Sequence, residues 1–146
     1  MKKKPYLLIS ACLLGEKCRY DGDDNFVPLV DKLKEKYTLI PICPEVDGGL
    51  SIPRIPCEII DGKVIGSDGN DYTSFYIRGA TRALELAKKH DVKVAVLKAK
   101  SPSCGVNGVY DGTFTKTLVE GKGVAAKLLS DYGLILYEED EIEKLL

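Results

Sequence analysis

Four short runs of apolar residues punctuate the chain: Tyr6–Ser10, Thr38–Ile42, Val92–Leu97 and Leu134–Tyr137. Each is too short for a helix and rich in branched side chains, so each predicts a buried strand. Between them, apolar or small positions recur at helical spacing. Leu29, Val30 and Leu33 form one stripe over Val27–Lys36, and Phe75, Gly79, Ala80, Ala83, Leu84 and Ala87 form another over Thr73–Lys89. A third helix is predicted over Gly123–Asp131, closed by Gly133, and a terminal one over Glu138–Leu146 with acidic residues in its first turn. Alternating strands and helices imply an α/β fold, a three-layer Rossmann-like sandwich with a mostly parallel sheet of about four to five strands. Asp61-Gly62, between Cys57–Ile60 and Lys63–Ile65, predicts a hairpin inserted before the long helix. The other Asp-Gly pairs, beginning at Asp21, Asp47, Asp68 and Asp111, are each expected to mark a tight turn with positive φ.

At 146 residues, 45% hydrophobic and 29% charged, the chain has the size and composition of one globular domain spanning residues 1–146, which excludes disordered, fibrous and coiled-coil classes. A net charge of −1 supplies no field for anionic partners, which argues against membrane association and stable nucleic-acid binding. No stretch approaches the ~18 apolar residues of a spanning helix. Lys2, Lys3 and Lys4 precede Tyr6–Ile9, and Ile9-Ser10-Ala11-Cys12 imitates a lipoprotein cleavage site. The apolar stretch is only about seven residues, at the short limit for a signal core, so a buried first strand and a cytoplasmic location are expected.

Five cysteines, an odd number, fit a reducing compartment better than a disulfide framework. Cys12 follows the first predicted strand, Cys43 follows the second, and Cys104 lies beyond the third. In a parallel sheet the carboxyl ends of all strands share one edge, where ligands collect, so these three thiols are expected to converge there as a metal centre. No short Cys-x2-4-Cys pair exists to close a zinc site. The single histidine, His90, ends the long helix, where an imidazole serves the helix terminus. Three cysteines without a fourth suit a 4Fe-4S cluster with one iron left open as a Lewis acid. Cys18 and Cys57 read as small buried hydrophobes. Gly105-Val106-Asn107-Gly108 has the glycines of a phosphate loop, but no helix-opening Gly-Lys-Ser/Thr follows it.

The residues around these cysteines resemble the thiouracil desulfidase family. The resemblance rests on Ser10-Ala11-Cys12-Leu13-Leu14-Gly15 with Arg19-Tyr20-Asp21-Gly22, on Cys43-Pro44-Glu45-Val46 with Gly48-Gly49-Leu50 and Pro53-Arg54, and on Ser101-Pro102-Ser103-Cys104-Gly105 with Tyr110-Asp111-Gly112-Thr113-Phe114. It implies a 4Fe-4S cluster held by Cys12, Cys43 and Cys104. It also implies a non-redox conversion of 2-thiouracil, or a related thiolated pyrimidine, and water to uracil and hydrogen sulfide. Cys57 departs from the family pattern, which has a small apolar residue there, so no role is carried over to it. Within that chemistry Glu45 is the expected general base. Ser101 is expected to relay a proton or hydrogen-bond the ring, with Ser103 and Arg54 as substrate-binding candidates. Lys98 and Lys100 could also face the substrate, although lysines at a strand end commonly serve only solvation.

Two other readings compete. A non-catalytic iron–sulfur or metal-binding module would use the same three ligands without needing Glu45. A thiol enzyme using Cys104 as nucleophile would keep its activity after iron removal.

Overall fold

The computed structural model describes residues 4–146; Lys2 and Lys3 of the basic run lie outside the described residues. Its central sheet has four parallel strands in the order β2-β1-β5-β8, formed by β1 (Tyr6–Ser10), β2 (Thr38–Ile42), β5 (Val94–Leu97) and β8 (Ile135–Glu138). Four helices complete the numbered elements: α1 (Val30–Lys36), α2 (Pro44–Asp47), α3 (Thr73–Lys89) and α4 (Val124–Tyr132). Two antiparallel hairpins stand outside the sheet, β3 (Cys57–Ile60) with β4 (Lys63–Gly66) and β6 (Gly108–Tyr110) with β7 (Leu118–Glu120). The three-layer α/β expectation is met.

Side-chain alternation along the strands builds two cores. Leu8, Ala95 and Leu97 pack on Ala83 and Ala87 of α3 and on Ala126 and Leu129 of α4. Leu7, Ile9 and Val96 point the other way, onto Val30 and Leu33 of α1 and Ile142 of a C-terminal 3-10 helix, Glu139–Leu145. The chain leaves β1 toward β2 on one side and later returns to β5 on the other, so the strand order reverses at β1. A crevice opens beyond the carboxyl ends of β1 and β5.

Several boundaries differ from the sequence expectations. The first helix begins at Val30 rather than Val27, since Pro28 disfavours helical backbone at the residue before it. The third strand begins at Val94, after Asp91 turns with φ 52°. On α3, Tyr76 joins the buried face where Phe75 was expected, in step with Ala80, Ala83 and Ala87. The terminal segment forms 3-10 turns, opened by a reciprocal capping box between Glu138 and Glu141. Helix α2 and the β6–β7 hairpin were not anticipated. Among the described residues, no helix is long and apolar enough to cross a membrane.

Four of the five Asp-Gly glycines adopt positive φ, but Gly48 does not: its φ is −81°. It is there because of close packing instead. A Cβ on Gly48 would lie 2.0 Å from the Phe75 carbonyl oxygen, and one on Gly79 would lie 1.7 Å from the Pro44 carbonyl oxygen. The two glycines therefore let α2 sit directly against the backbone of α3, which fixes Cys43, Pro44 and Glu45 at the end of β2.

Gly79→Ala replaces that contact with a clash that no side-chain rotation relieves. Its gain in helix propensity is only about 1 kcal/mol. A net destabilisation of about 2–3 kcal/mol is expected, read as a lower midpoint with unchanged slope in urea unfolding.

Candidate active site

The carboxyl ends of β1, β2 and β5 open into a cavity of about 600 Å³. Its lining includes Cys12, Cys43 and Cys104, each supplied by the turn after a different strand. Cys12 sits in a 3-10 turn, Ala11–Leu14, ended by Gly15 at φ 96°. Cys43 immediately precedes α2. Cys104 lies in the loop after β5, and the N-terminus of α4 holds that loop in place: Val124 N–H donates to Pro102 O and Ala125 N–H to Ser103 O, both at 2.9 Å. Amides that a helix start leaves unpaired thus anchor the cysteine loop. Ser10, buried at the end of β1, accepts the Lys98 N–H at 2.9 Å, and Ser103 Oγ lies 3.6 Å from the Cys104 sulfur.

The thiols are held in different states. Hydrogen bonding from Cys18 is the largest influence on Cys12 and outweighs burial, bringing its thiol down to about 7. Cys18 likewise lowers Cys43. Cys18 itself is raised by the same two contacts. Burial pushes Cys104 up to about 12.

Glu45, on α2, lines the same cavity as the thiols. Its Oε1 accepts from Arg54 Nε at 2.9 Å and from Tyr76 Oη at 3.0 Å. Its Oε2 lies 3.1 Å from Ser103 Oγ and 3.5 Å from Ser101 Oγ. The ion pair is largely buried, with side-chain exposures of 6% for Arg54 and 13% for Glu45. The remaining Arg54 contacts run to Ser51 O at 3.3 Å and Cys18 O at 2.8 Å, so the guanidinium is committed to the wall of the cavity. Ser101 Oγ accepts the backbone N–H groups of Ser103 and Cys104, both at 3.1 Å, and lies 3.0 Å from Ser103 Oγ. With its oxygen accepting from the backbone, the Ser101 proton is directed toward Ser103, whose own hydroxyl points to Glu45.

Cys12, Cys43, Cys104, Glu45, Arg54, Ser101 and Ser103 all line this one cavity. Lys98 pairs with Glu139 at 2.7 Å, and Lys100 lines the wall. His90 caps α3 and packs on Tyr6 with ring centroids 4.7 Å apart, away from the thiols. Tyr76 and Cys18 are the site residues that sequence reasoning did not assign. Tyr76 keeps the helical spacing of the buried α3 stripe, the one signal that could have marked it.

The donor set fits an iron–sulfur cluster better than a single ion. Among the described residues, Glu138, Asp140 and Glu141 form the one set whose donor atoms all lie within 4.8 Å of one another. The sulfurs of Cys12, Cys43 and Cys104 are not such a set, so at least one of their separations exceeds 4.8 Å, beyond the roughly 3.8 Å that tetrahedral zinc with 2.3 Å bonds demands. Thiolates are the usual ligands of iron–sulfur clusters, and a wider triangle suits a polynuclear group.

The model of the 2-thiouracil desulfurase family matches residues 7–141. YbbK of Bacillus subtilis (strain 168), described as an uncharacterized protein, is 37% identical over 150 residues, covering 96% of this chain and 99% of that protein. A solved structure of TudS, a 4Fe-4S-dependent thiouracil desulfidase, superposes with a TM-score of 0.92 at 37% identity, covering 97% of this chain and 95% of that one.

Glu58, buried on β3, secures another wall. It accepts the N–H groups of Gly112 at 3.0 Å and Phe114 at 3.1 Å, holding the β6–β7 loop, with Phe114 and Lys116, beside the cavity. Glu58→Ala removes both charge-assisted bonds. Hydrogen exchange at the Gly112 and Phe114 amides is expected to accelerate roughly tenfold or more, with the central strands unchanged.

Proposed function

Because this chain belongs to the 2-thiouracil desulfurase family, we propose that it is a 4Fe-4S-dependent enzyme that converts 2-thiouracil, or a related thiolated pyrimidine, and water to the oxo-pyrimidine and hydrogen sulfide. The reaction moves no electrons between partners: a carbon–sulfur bond is replaced by a carbon–oxygen bond, and the two protons of water leave with sulfide. Cys12, Cys43 and Cys104 would hold the cluster. When bound, it supplies a soft Lewis-acidic iron suited to a thiocarbonyl sulfur. A cavity of about 600 Å³ lies within the range of small-molecule sites.

The chain's own residues account for the proton transfers. Arg54 and Tyr76 engage Glu45 Oε1, which turns Oε2 toward the serines and the cavity. Glu45 acts as general base, taking a proton from the attacking water at Oε2, directly or through Ser103 and Ser101. The serine pair, linked at 3.0 Å, can return a proton to the departing side of the substrate without leaving its hydrogen bonds. Arg54 serves this scheme by positioning Glu45 rather than by touching the ring. The observation carrying the reading is that three thiols from separate strand ends share one cavity with a carboxylate held on Oε1 by Arg54 and Tyr76 and linked through Oε2 to two hydroxyls. That carboxylate distinguishes an enzyme from a passive cluster module, and the burial of Cys104 opposes a role as free thiol nucleophile. Five unpaired cysteines fit a reducing, cytoplasmic setting.

Anaerobic reconstitution followed by a thiouracil assay tests this reading. Glu45→Gln is expected to lower sulfide release by about 10²–10⁴-fold while cluster absorbance remains. Substituting Ala for Cys12, Cys43 or Cys104 is expected to lose both absorbance and turnover. Iron chelation should abolish activity and reconstitution should restore it; turnover that survives chelation would overturn the cluster-dependent mechanism.

A further inference from the structure

Phe114 takes no part in cluster ligation or in the proton transfers, yet the chain holds it beside the cavity in a strained conformation. It lines the cavity, and 38% of it is exposed. Its φ is 58°, in the left-handed region that a bulky side chain seldom adopts. Every second residue of its loop shares this sign: Gly112 has φ 93° and Lys116 has φ 59°. The alternation sorts the side chains. Thr113, Thr115 and Thr117 gather together, their hydroxyls linked at 2.6 and 2.7 Å and ended on Asp111 Oδ1 at 2.6 Å, while Phe114 and Lys116 line the cavity. The buried carboxylate of Glu58 clasps the Gly112 and Phe114 amides, and Asp111 N–H donates to Thr117 O at 2.9 Å.

Strain of this kind persists where the surrounding structure imposes it, and it collects at ligand sites. Burial does not account for it here, since the side chain stays well exposed. Nor does another ring: among the described residues Phe114 forms no aromatic pair and stands under no cation. The other aromatic residues on the cavity wall, Tyr20 and Tyr110, carry hydroxyls; Phe114 offers only the face and edge of its ring. A delocalised pyrimidine is flat and presents a π-face of its own, and such rings stack on aromatic side chains. We infer that Phe114 is a specificity-determining residue, its ring a stacking platform for the planar heterocycle of the substrate. This rests on the thiolated-pyrimidine reading above and adds a selection for ring planarity that a thiocarbonyl alone does not require. The Glu58 clasp then serves the site directly, because a platform fixed in advance loses little freedom when substrate arrives.

The experiment compares 2-thiouracil with 5,6-dihydro-2-thiouracil, which keeps the thiocarbonyl, the ring N–H groups and the carbonyl on a saturated, puckered ring. Each is followed as a substrate of the anaerobically reconstituted chain, and the dihydro compound also as a competitive inhibitor. The wild-type chain is expected to hold the planar compound roughly tenfold more tightly. Phe114→Leu, which keeps apolar bulk without a π-face, is expected to raise KM for 2-thiouracil roughly tenfold, acting on KM more than on kcat, while the constant for the dihydro compound moves by no more than about twofold. Phe114→Tyr is expected to keep the wild-type preference. Hydrogen exchange at the Gly112 amide checks that the Glu58 clasp survives each substitution; where it does not, the wild-type comparison alone decides. Equal wild-type affinity for the two compounds, which needs no variant, overturns the inference. So does a Phe114→Leu chain that loses affinity for both alike, or for neither. A wild-type chain that carries its cluster and turns over no thiouracil removes the function proposed above and this inference with it. The stacking failures leave that turnover intact, so the two are told apart.

Discussion

Glu45 brings a negative charge into a largely enclosed cavity, and the surrounding chain is arranged to satisfy it. Left unpaired, a buried carboxylate costs several kcal/mol. Arg54, Tyr76, Ser101 and Ser103 come from the segment before β3, from α3 and from the loop after β5, and they meet on its two oxygens. Satisfying this one charge therefore ties three distant stretches of chain to α2. Because α2 begins directly after Cys43, the same network holds one wall of the thiol site.

The packing beneath this arrangement is equally specific. Helix α2 has a single turn and little stability of its own. It persists because Gly48 and Gly79 let its backbone touch that of α3, bringing Tyr76 up beneath Glu45. Across the cavity, the amides at the start of α4 hold Pro102 and Ser103, so the loop bearing Cys104 is as well supported as a regular element. Positions of this kind give a site the rigidity that placing several thiols and a base around one small substrate requires.

The cavity gathers two kinds of group side by side. Its thiols lie among a carboxylate, a guanidinium and hydroxyls, with Ser103 Oγ 3.6 Å from the Cys104 sulfur and Arg54 and Cys43 meeting on the Cys18 carbonyl. Soft sulfur donors and proton-transfer groups are therefore available to one small molecule. That combination matches the chemistry of the family to which the chain belongs, a desulfuration of 2-thiouracil.

By itself the sequence determined the sheet strands, the long helices and their order, but not helix α2 or the β6–β7 hairpin. Short branched runs and 3.6-residue periodicity specified β1, β2 and α3 to the residue, and Asp61-Gly62 specified its hairpin, because these signals depend on neighbours close along the chain. Parallel-sheet topology then placed Cys12, Cys43 and Cys104 at one edge, since strand ends in such a sheet share a direction. Tertiary structure decided what local patterns do not encode. It made Gly48 a packing residue rather than a turn, turned Arg54 onto Glu45, exchanged Phe75 for Tyr76 in the buried stripe, and brought Arg54 and Cys43 onto the Cys18 carbonyl. Each of these follows from contacts between segments far apart in sequence, where the partner's position, and not the residue's own preference, sets the outcome.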